Sequence, residues 1–455
     1  MHKFNINRRS FLKNSTSFLA YTTLGAQGLD SFYDEKVRRV GLIGSGWYGK
    51  SDLFRLIQVA NVEVVALCDV DQQMLDHAAE LVSKRQKSGK VPQKYRDYRE
   101  MLADHEFDII LIGTPDHWHA LQAIDAIKAG AHVFLQKPIS VDVKEGEAIL
   151  AAARKYNKVV QIGTQRRSTP HLVEAKKKIV DAGLLGKVSH VDMCCYYHMR
   201  GNIKRDPQPV PDYLDYELWT GPAPMRPYNG SVHRRWRAYM EYCNGIVGDM
   251  CVHMFDATRW MLDLGWPKKI SSTGGIYVQK ESLANTTDTQ HAVFEYEDLN
   301  CIWNHRTWGN APDPAYPWSY IIYGENGSLK ASVQKFEFYP TGSKEPTMSM
   351  DWVNESEKYP EDLTEEGIEL FAASAMRNHM LDFISAIDHE GRPVADIEQG
   401  HISTASCILA NMSCELERPL IYDHKTQKVT GDDEATRLLE RPYREPWVHP
   451  DPDQV

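Results

Sequence analysis

The sequence lacks the patterns that mark several common functional classes. None of its eight cysteines forms a C-x-x-C pair, which argues against a structural zinc site or a dithiol redox motif. The chain has no excess of basic residues, and its net charge of −10 argues against nucleic acid or an acidic membrane surface as a partner. After the N-terminal segment there is no apolar run of about 18 residues, so we predict no membrane span.

Length and composition indicate a large globular chain. With 455 residues and 42% hydrophobic side chains, it can build a sizeable core, and we expect two domains. The 22 tyrosines and 11 tryptophans are numerous for this length. Most are expected in the core, but flat aromatic faces also line sugar-binding clefts, so both interpretations stay open.

The N-terminal segment, residues 1–29, has the features of an export signal. Arg8 and Arg9 precede a weakly apolar stretch, and Gly25 and Ala26 follow it. This arrangement is typical of twin-arginine signals, which export folded proteins to the periplasm. The alternative is a basic tail without an export role. Because no cysteine lies near the expected cleavage region, a lipid anchor is not indicated there.

A glycine motif predicts a dinucleotide site. Gly44, Gly46 and Gly49 lie between a predicted strand and a predicted helix, and Asp69 ends the next buried strand. Gly44 permits the tight turn, Gly46 lets the backbone approach the pyrophosphate, and Gly49 lets the helix pack on the strand. The helix N-terminus would meet the phosphates and Asp69 the ribose hydroxyls. Asp69 also favours NAD over NADP, since it would repel a 2′-phosphate and neither Val70 nor Asp71 supplies a cation.

Strands and helices alternate after this motif, and one of the strands ends beside a lysine. The alternation predicts parallel pairing and an NAD-binding Rossmann domain over residues 36–165. Within it, the run His132–Leu135 has the composition of a buried strand, and Lys137 and Pro138 follow it closely. Ligands of α/β folds bind at such strand ends, so Lys137 is either a reactive group or an ordinary solvated residue.

A second candidate centre lies in a predicted helix, CNGIVGDMCVHMFDATRWML. Asp249 and His253 are four residues apart and therefore share one helix face. An imidazole and a carboxylate so placed suit proton transfer, with His253 as the general base and Asp249 orienting the imidazolium. From the residues alone, a structural pair at a domain interface is an equal alternative. Asp256 is predicted to be a surface acid of this helix.

Four motifs together resemble the glucose–fructose oxidoreductase, inositol dehydrogenase and rhizopine-catabolism (Gfo/Idh/MocA) family. They are the glycine loop at 44–49, GTPDHWH at 113–119, QKP at 136–138 and NGIVGDMCVH at 244–253. The resemblance implies a Rossmann domain and then an α/β domain with a large open, mostly antiparallel sheet, at residues 166–425. Residues 426–455 would form a C-terminal extension. In the family such a sheet serves as an oligomer interface, which implies a homodimer or homotetramer.

The resemblance also implies roles for individual residues. It favours catalysis by Asp249 and His253 and places Lys137 between nicotinamide and substrate. Gln136 replaces the family's glutamate; it can orient the lysine by hydrogen bonding but cannot tune it by charge. Besides the glycines and Asp69, the expected cofactor-binding residues are Trp47, Tyr48, Thr114, Pro115, His119, Gln136 and Lys137. His117 is expected to be solvated, and no convincing ligand cluster indicates a metal.

A further group of residues is predicted to form a sugar-binding wall, although each alone is more often structural. The members are Arg166, Tyr197, His198, Arg235, Trp236, Tyr239 and His305.

The sequence therefore predicts an exported NAD-dependent oxidoreductase that oxidises a secondary hydroxyl of a sugar or glycoside. Oxidation at C3 of a glucoside is inferred from the family and the compartment, and tightly bound NAD is expected because free NAD is scarce after export. A redox-neutral NAD-dependent glycosidase, which oxidises, eliminates, adds water and reduces in one site, is the first alternative. A non-catalytic sugar or NAD sensor is the second, and the intact Lys137, Asp249 and His253 argue against it.

Overall fold

The structure is a computed structural model that describes residues 36–198 and 200–455. The predicted export signal at residues 1–29 lies outside these ranges. Within them, every helix is too short or too polar to cross a bilayer.

The N-terminal half forms a parallel sheet of six strands. They are β1 (Arg38–Ile43), β2 (Val62–Cys68), β3 (Gln93–Tyr95), β4 (Ile109–Ile112), β5 (His132–Leu135) and β6 (Val160–Ile162). Their order is β3-β2-β1-β4-β5-β6, so the direction of chain progression reverses between β1 and β4. The central strand β4 is buried at every position because helices cover both sheet faces. The predicted Rossmann topology is confirmed, and its ligand crevice lies at the strand ends near this reversal.

Helices follow these strands and begin at the same edge of the sheet. They are α1 (Trp47–Val59), α2 (Gln72–Arg85), α3 (Tyr98–Asp104), α4 (His119–Lys128) and α5 (Val143–Lys155). A 3₁₀ turn, Asp116–Trp118, leads into α4. The start of α5 is fixed by a capping box, in which Asp142 and Glu145 each accept a backbone hydrogen bond from the other residue.

The C-terminal half forms an eight-stranded sheet. Its strands are β7 (Val188–Cys195), β8 (Lys269–Gly275), β9 (Thr289–Glu295), β10 (Asn300–Arg306), β11 (Trp318–Gly324), β12 (Gly327–Ser332), β13 (Lys335–Pro340) and β14 (Met348–Asp351). The order is β14-β13-β12-β11-β7-β10-β9-β8, in which β7 and β10 pair in parallel and the other neighbours are antiparallel. Alternate residues of β10 are buried, as expected for a sheet with one covered face. The predicted open, mostly antiparallel sheet is confirmed.

Helices of the C-terminal half join this sheet to the Rossmann domain. They are α6 (Pro170–Ala175), α7 (Tyr216–Thr220), α8 (Val252–Met261), α9 (Leu370–Asp388), α10 (Ile397–Glu415) and α11 (Asp433–Arg437), and a short ribbon, β15 (Tyr422–Asp423) with β16 (Lys428–Val429), precedes α11. A π-helical turn, Val247–Cys251, runs directly into α8. Helix α9 packs on α1, and α10 packs on α5 and β8. The Rossmann helices are therefore held by elements that come late in the chain.

Candidate active site

A large cleft opens at the carboxyl ends of the Rossmann strands, between the parallel sheet and the sheet domain. Its volume is about 790 Å³. Most of the residues predicted for cofactor, catalysis and substrate line it together: Gly44, Gly46, Trp47, Tyr48, Asp69, Thr114, Pro115, Gln136, Lys137, Arg166, Tyr197, His198, Trp236, Asp249 and His253. The chain thus folds so that sequence-distant motifs meet in one cavity.

Five predicted site residues do not reach the cleft wall. Gly49 packs behind the glycine loop, and His119 is buried with its ring nitrogens against two backbone carbonyls. Arg235 is exposed outside the cleft, and Tyr239 is fully buried. His305 is buried by hydrogen bonds within the sheet domain. Direct substrate contacts by Arg235, Tyr239 and His305 are therefore not supported by their positions.

The glycine loop has the shape that a dinucleotide needs. Gly44 has φ +90°, and a Cβ there would lie 2.7 Å from the carbonyl carbon of Gly113. A Cβ at Gly49 would lie 2.1 Å from Gly44 O, whereas one at Gly46 would meet nothing within 4 Å. Helix α1 starts at Trp47 without a side-chain cap, so its first N–H groups face this open space. These residues fit the pyrophosphate of NAD.

Asp69 lies where the ribose is expected, and its carboxylate is already fixed. Its Oδ2 accepts a hydrogen bond from the Ser45 N–H at 2.7 Å, and its Oδ1 accepts one from the Asp71 N–H at 2.9 Å. Burial raises the pKa of Asp69 to about 6. The group is therefore mostly ionised at neutral pH, as a ribose acceptor requires.

Asp249 is the centre of the polar end of the cleft. Its Oδ1 lies 2.5 Å from Lys137 Nζ, which also donates to the Asp249 carbonyl at 2.8 Å. Its Oδ2 lies 2.8 Å from His198 Nε2 and 3.1 Å from Arg237 Nε. Burial alone would raise the pKa of Asp249, but the charges of Lys137 and Arg237 outweigh it and hold the pKa well below its usual range. Asp249 is thus a permanent anion that holds the lysine in place.

The two ring nitrogens of His198 have different hydrogen-bond partners, which fix its tautomer. The backbone N–H of Arg200 donates to His198 Nδ1 at 3.0 Å, so this nitrogen carries no proton. The proton must then be on Nε2, which donates it to Asp249. His198 was predicted to bind substrate, but in this arrangement its side chain donates a hydrogen bond to Asp249.

His253 faces the cleft as a neutral imidazole. Its Nδ1 is buried without a hydrogen-bond partner, and its ring lies 5.4 Å from that of Trp318. Burial lowers the pKa of His253 well below its usual value, and the charges of Lys137 and Arg166 lower it further. The predicted orienting contact from Asp249 is absent in the described structure, where the two carboxylate oxygens accept hydrogen bonds from Lys137 and His198 and none from His253. The π turn containing Asp249 also departs from the α-helical spacing that the prediction assumed.

Gln136 does not contact the amino group of Lys137, contrary to the predicted orienting role. Its Nε2 donates to Asp52 Oδ2 at 2.6 Å, and its Oε1 accepts from the Lys137 backbone N–H at 3.3 Å. Burial raises the pKa of Asp52 to about 8. Gln136 therefore ties the backbone before Lys137 to helix α1 and leaves the lysine side chain to Asp249.

Asp256 and His117 are buried, although the sequence predicted both to be solvated. Asp256 accepts two hydrogen bonds from Arg167, at 2.7 and 2.8 Å, and a third from Ser403. His117 Nε2 lies 3.0 Å from the Trp219 carbonyl, and burial lowers its pKa to about 4. Both residues join separate parts of the chain and do not face solvent.

Several cleft residues were missed by the sequence predictions. Asp116 lies inside the GTPDHWH motif, and Arg237 directly follows the predicted residue Trp236, so their polar side chains were an available signal. Trp318 and Glu369 lie far in the sequence from the motifs used for prediction, so no signal in the sequence identified them. Arg237 stacks its guanidinium 4.1 Å from the ring of Trp236. Burial raises the pKa of Asp116 well above its usual value.

Within the described residues, one group of side chains has the spacing of a metal site, and it lies outside the cleft. Asp142, Glu145 and His449 place one ligand atom each within 4.8 Å of one another. Protein donors already use these atoms: the Arg441 N–H and His449 bond to Asp142, and the Tyr443 hydroxyl donates to Glu145. We therefore interpret the group as an internal ion-pair cluster.

Comparison with known proteins gives matches along most of the chain. The family profile described as an oxidoreductase family, NAD-binding Rossmann fold, matches residues 38–164, and that for its C-terminal alpha/beta domain matches 170–302 and 362–449. An alpha-N-acetylgalactosaminidase of Shewanella oneidensis is 30% identical over 177 residues, 37% of this chain and 37% of its own length. An inositol 2-dehydrogenase/D-chiro-inositol 3-dehydrogenase of Lactiplantibacillus plantarum is 30% identical over 162 residues, 35% of this chain and 44% of its own.

The chain thus spans less than half the length of these curated relatives. A solved levoglucosan dehydrogenase, in complex with NADH and levoglucosan, superposes with a TM-score of 0.62 at 17% identity, over 85% of this chain and 99% of the other. At that identity the likeness supports the fold alone. With both domains matched by profiles of one family, the chain belongs to the Gfo/Idh/MocA oxidoreductase family.

Proposed function

We propose that the protein oxidises a secondary hydroxyl of a sugar or glycoside with NAD as the acceptor. The observation that carries this proposal is that a neutral His253 and a Lys137–Asp249 ion pair line the same cleft as the glycine loop. The similarity to enzymes named for activity on sugars or inositol supports the substrate class.

The residues divide the chemistry between them. His253 accepts the hydroxyl proton, because it is neutral at the pH where it works. Lys137 donates a hydrogen bond to the oxygen as negative charge develops there, and Asp249 and His198 fix its position. The glycine loop and Asp69 would hold NAD, which would supply the hydride acceptor for this oxidation.

Tight cofactor binding is part of the proposal, and residues 360–369 support it. This segment, here called the strap, precedes α9 and lies against α1. Asp362 is 1% exposed and pairs with Arg377 at 2.7 Å and with Arg55 at 3.3 Å. The carbonyl of Gly367 accepts a hydrogen bond from the Trp47 indole at 2.7 Å. Because Trp47 lies within the glycine loop, the strap would have to loosen before a bound dinucleotide left.

Export to the periplasm and oxidation at C3 of a glucoside are also proposed. The twin-arginine pattern at Arg8 and Arg9 supports export. Tightly bound NAD is consistent with export, because free NAD is scarce in the periplasm. Oxidation at C3 would acidify the C2 proton of a glucoside. Fractionation of cells that make the full chain, with Arg8→Lys/Arg9→Lys as the control, tests export; mapping of the ketone position in the product tests C3.

A homodimer or homotetramer through the eight-stranded sheet completes the proposal. One face of this sheet covers the core, and Tyr323 of β11 is 39% exposed on the other. Light scattering of the purified protein should give two or four times the chain mass. Tyr323→Glu should lower that multiple if the outer sheet face is the interface.

A redox-neutral glycosidase is the second candidate, and Asp116 is the observation that favours it. Its buried carboxyl lines the cleft, and burial raises its pKa well above the usual value. Such a group can protonate a leaving glycosidic oxygen. The match to an alpha-N-acetylgalactosaminidase supports the same candidate. Release of an aglycone without net reduction of NAD would favour it over the dehydrogenase.

The test is reduced-nicotinamide absorbance of the purified, NAD-loaded protein during addition of glucosides, free sugars, sugar acids and inositols. A rise matching the protein concentration, reversed by a keto-sugar, is the expected result. His253→Asn should abolish the rise while bound NADH fluorescence persists. His190→Asn, whose side chain is 39% exposed, is the matched control and should behave as the wild type. A full rise in His253→Asn would reject the proposed base.

A further inference from the structure

We infer that the substrate carries a carboxylate, as a sugar acid or its glycoside, and that Arg166 binds it. This inference rests on the proposed function and narrows its substrate class. Arg166 belongs to the 3₁₀ turn Gln165–Ser168, which follows β6 at the exit of the Rossmann domain, and its side chain lines the cleft.

Arg166 is a buried cation without a hydrogen-bond partner. The residue is 2% exposed, and its Nε and Nη1 atoms are bonded to nothing within the described ranges. The next residue, Arg167, is also buried but forms a two-pronged ion pair with Asp256. An unpaired buried guanidinium is strongly unfavourable unless a ligand completes its bonding. The contrast between adjacent arginines indicates a binding role for the first.

The guanidinium lies at the substrate end of the cleft. Its Cζ is 5.3 Å from the ring centre of Trp318, and that ring is 5.4 Å from His253. Glu369 lines the same cleft, and its charge acts on Arg166. The two form no ion pair in the described structure. A ligand at Arg166 would therefore lie beside the residue proposed to take the substrate proton.

A carboxylate is the ligand that such a group fits best. The planar fork of a guanidinium matches the two oxygens of a carboxylate, and the charged bonds are shorter and stronger than those to neutral hydroxyls. A cofactor phosphate could supply similar chemistry. The open space at Gly46 and the uncapped start of α1 already suit the pyrophosphate, so we assign Arg166 to the substrate.

Three matched ligands separate charge from shape: methyl glucoside, methyl glucuronide and the methyl ester of that glucuronide. The ester keeps the shape of the acid without its charge. In the wild-type protein we expect kcat/KM for the acid to exceed that for the ester at least about tenfold, as charged hydrogen bonds predict. Arg166→Met should bring the ratio to about one, and Arg166→Lys should fall between. Arg235→Met removes an exposed arginine outside the cleft and should keep the wild-type ratio.

The outcomes distinguish the claims. Equal kcat/KM for acid and ester in the wild type overturns the inference and leaves the oxidoreductase intact. If no ligand is oxidised, the proposed function fails, and the shift in Tm that each ligand produces still compares acid with ester. A loss of NADH affinity in Arg166→Met as large as its loss of acid preference would assign Arg166 to the cofactor and overturn the inference. A sharp fall in the Tm of ligand-free Arg166→Met would also overturn the inference, because an unpaired cation should not stabilise the ligand-free protein.

Discussion

Replacing Asp249 with asparagine should destabilise the fold and disable the site together. The carboxylate accepts from Lys137 at 2.5 Å and from His198 at 2.8 Å, and Arg237 lies 3.1 Å away. The side chains of Lys137 and Asp249 are 8% and 5% exposed, so solvent cannot replace the lost charge. Asparagine keeps the shape but has one acceptor oxygen, and its amide group must face a donor.

The magnitude follows from this burial. Removing one partner of a buried ion pair lowers the free energy of unfolding by about 3–5 kcal/mol. Because two cations and a histidine N–H share this carboxylate, we expect Asp249→Asn to be in the upper half of that range. Lys137 would also lose its fixed position, and a misplaced group that stabilises an oxyanion lowers kcat about 100-fold or more.

Urea unfolding followed by tryptophan fluorescence, together with single-turnover nicotinamide absorbance, measures both effects. Asp76→Asn is the matched control, since Asp76 pairs with Lys94 at 2.6 Å on the surface and its loss should change little. An Asp249→Asn variant with the midpoint of this control and a wild-type kcat would refute the reasoning. Reduced stability with an unchanged kcat would refute only the role of Lys137.

Four further predictions follow from single contacts. Gly46→Ala should leave Tm unchanged but weaken NADH binding in a fluorescence titration about tenfold or more, because its methyl group enters the open space where the pyrophosphate would bind. Gly44→Ala should instead lower Tm, because φ is +90° there. Asp362→Asn should speed NADH release in a stopped-flow chase, since it removes the ion pairs that hold the strap to Arg55 and Arg377. An unchanged release rate would show that the strap does not retain the cofactor. Burial lowers the pKa of His449, but its carboxylate partner raises the net value from 6.5 to about 9, so this histidine stabilises the fold fully below pH 6.5 and loses that effect as pH rises through 9. The Tm difference between wild type and His449→Gln should shrink across that interval. Because the pKa of His253 is well below its usual value, the kcat/KM profile should have no acid limb near pH 6.5, and such a limb would contradict a neutral, desolvated base.

Local chemistry explains what could be predicted from the sequence. The glycine loop depends on adjacent residues, so Gly44 and Gly46 were assigned from spacing and have the expected geometry. Strand β5 was recognised because a short apolar run between a glycine-containing turn and Pro138 is typical of a buried strand. Its bounds, His132–Leu135, are as predicted. Alternation of strands and helices was enough to predict parallel pairing.

The rest depended on tertiary contacts that a pattern does not encode. Asp256 was assigned to a helix surface, but nine of the ten residues of α8 are buried, so that helix has almost no exposed face. Its periodicity identifies a helix and says nothing about the arginine that packs against it. The partners of Asp249 come from the segment after β5, from the segment after β7 and from the turn at Arg237, which lie far apart in the chain.

Arg166 and Arg167 show why the substrate half of a site resists prediction more than the cofactor half. The two residues are adjacent and of one type, so no local rule separates them. Their functions diverge because Arg167 forms an ion pair with Asp256 of α8, whereas the guanidinium of Arg166 forms no ion pair in the described structure and lies near the ring of Trp318. The cofactor is recognised by backbone shape, which spacing encodes. The substrate is recognised by charged side chains that have no partner in the fold. These side chains can be identified only when the structure shows which other charged groups are paired.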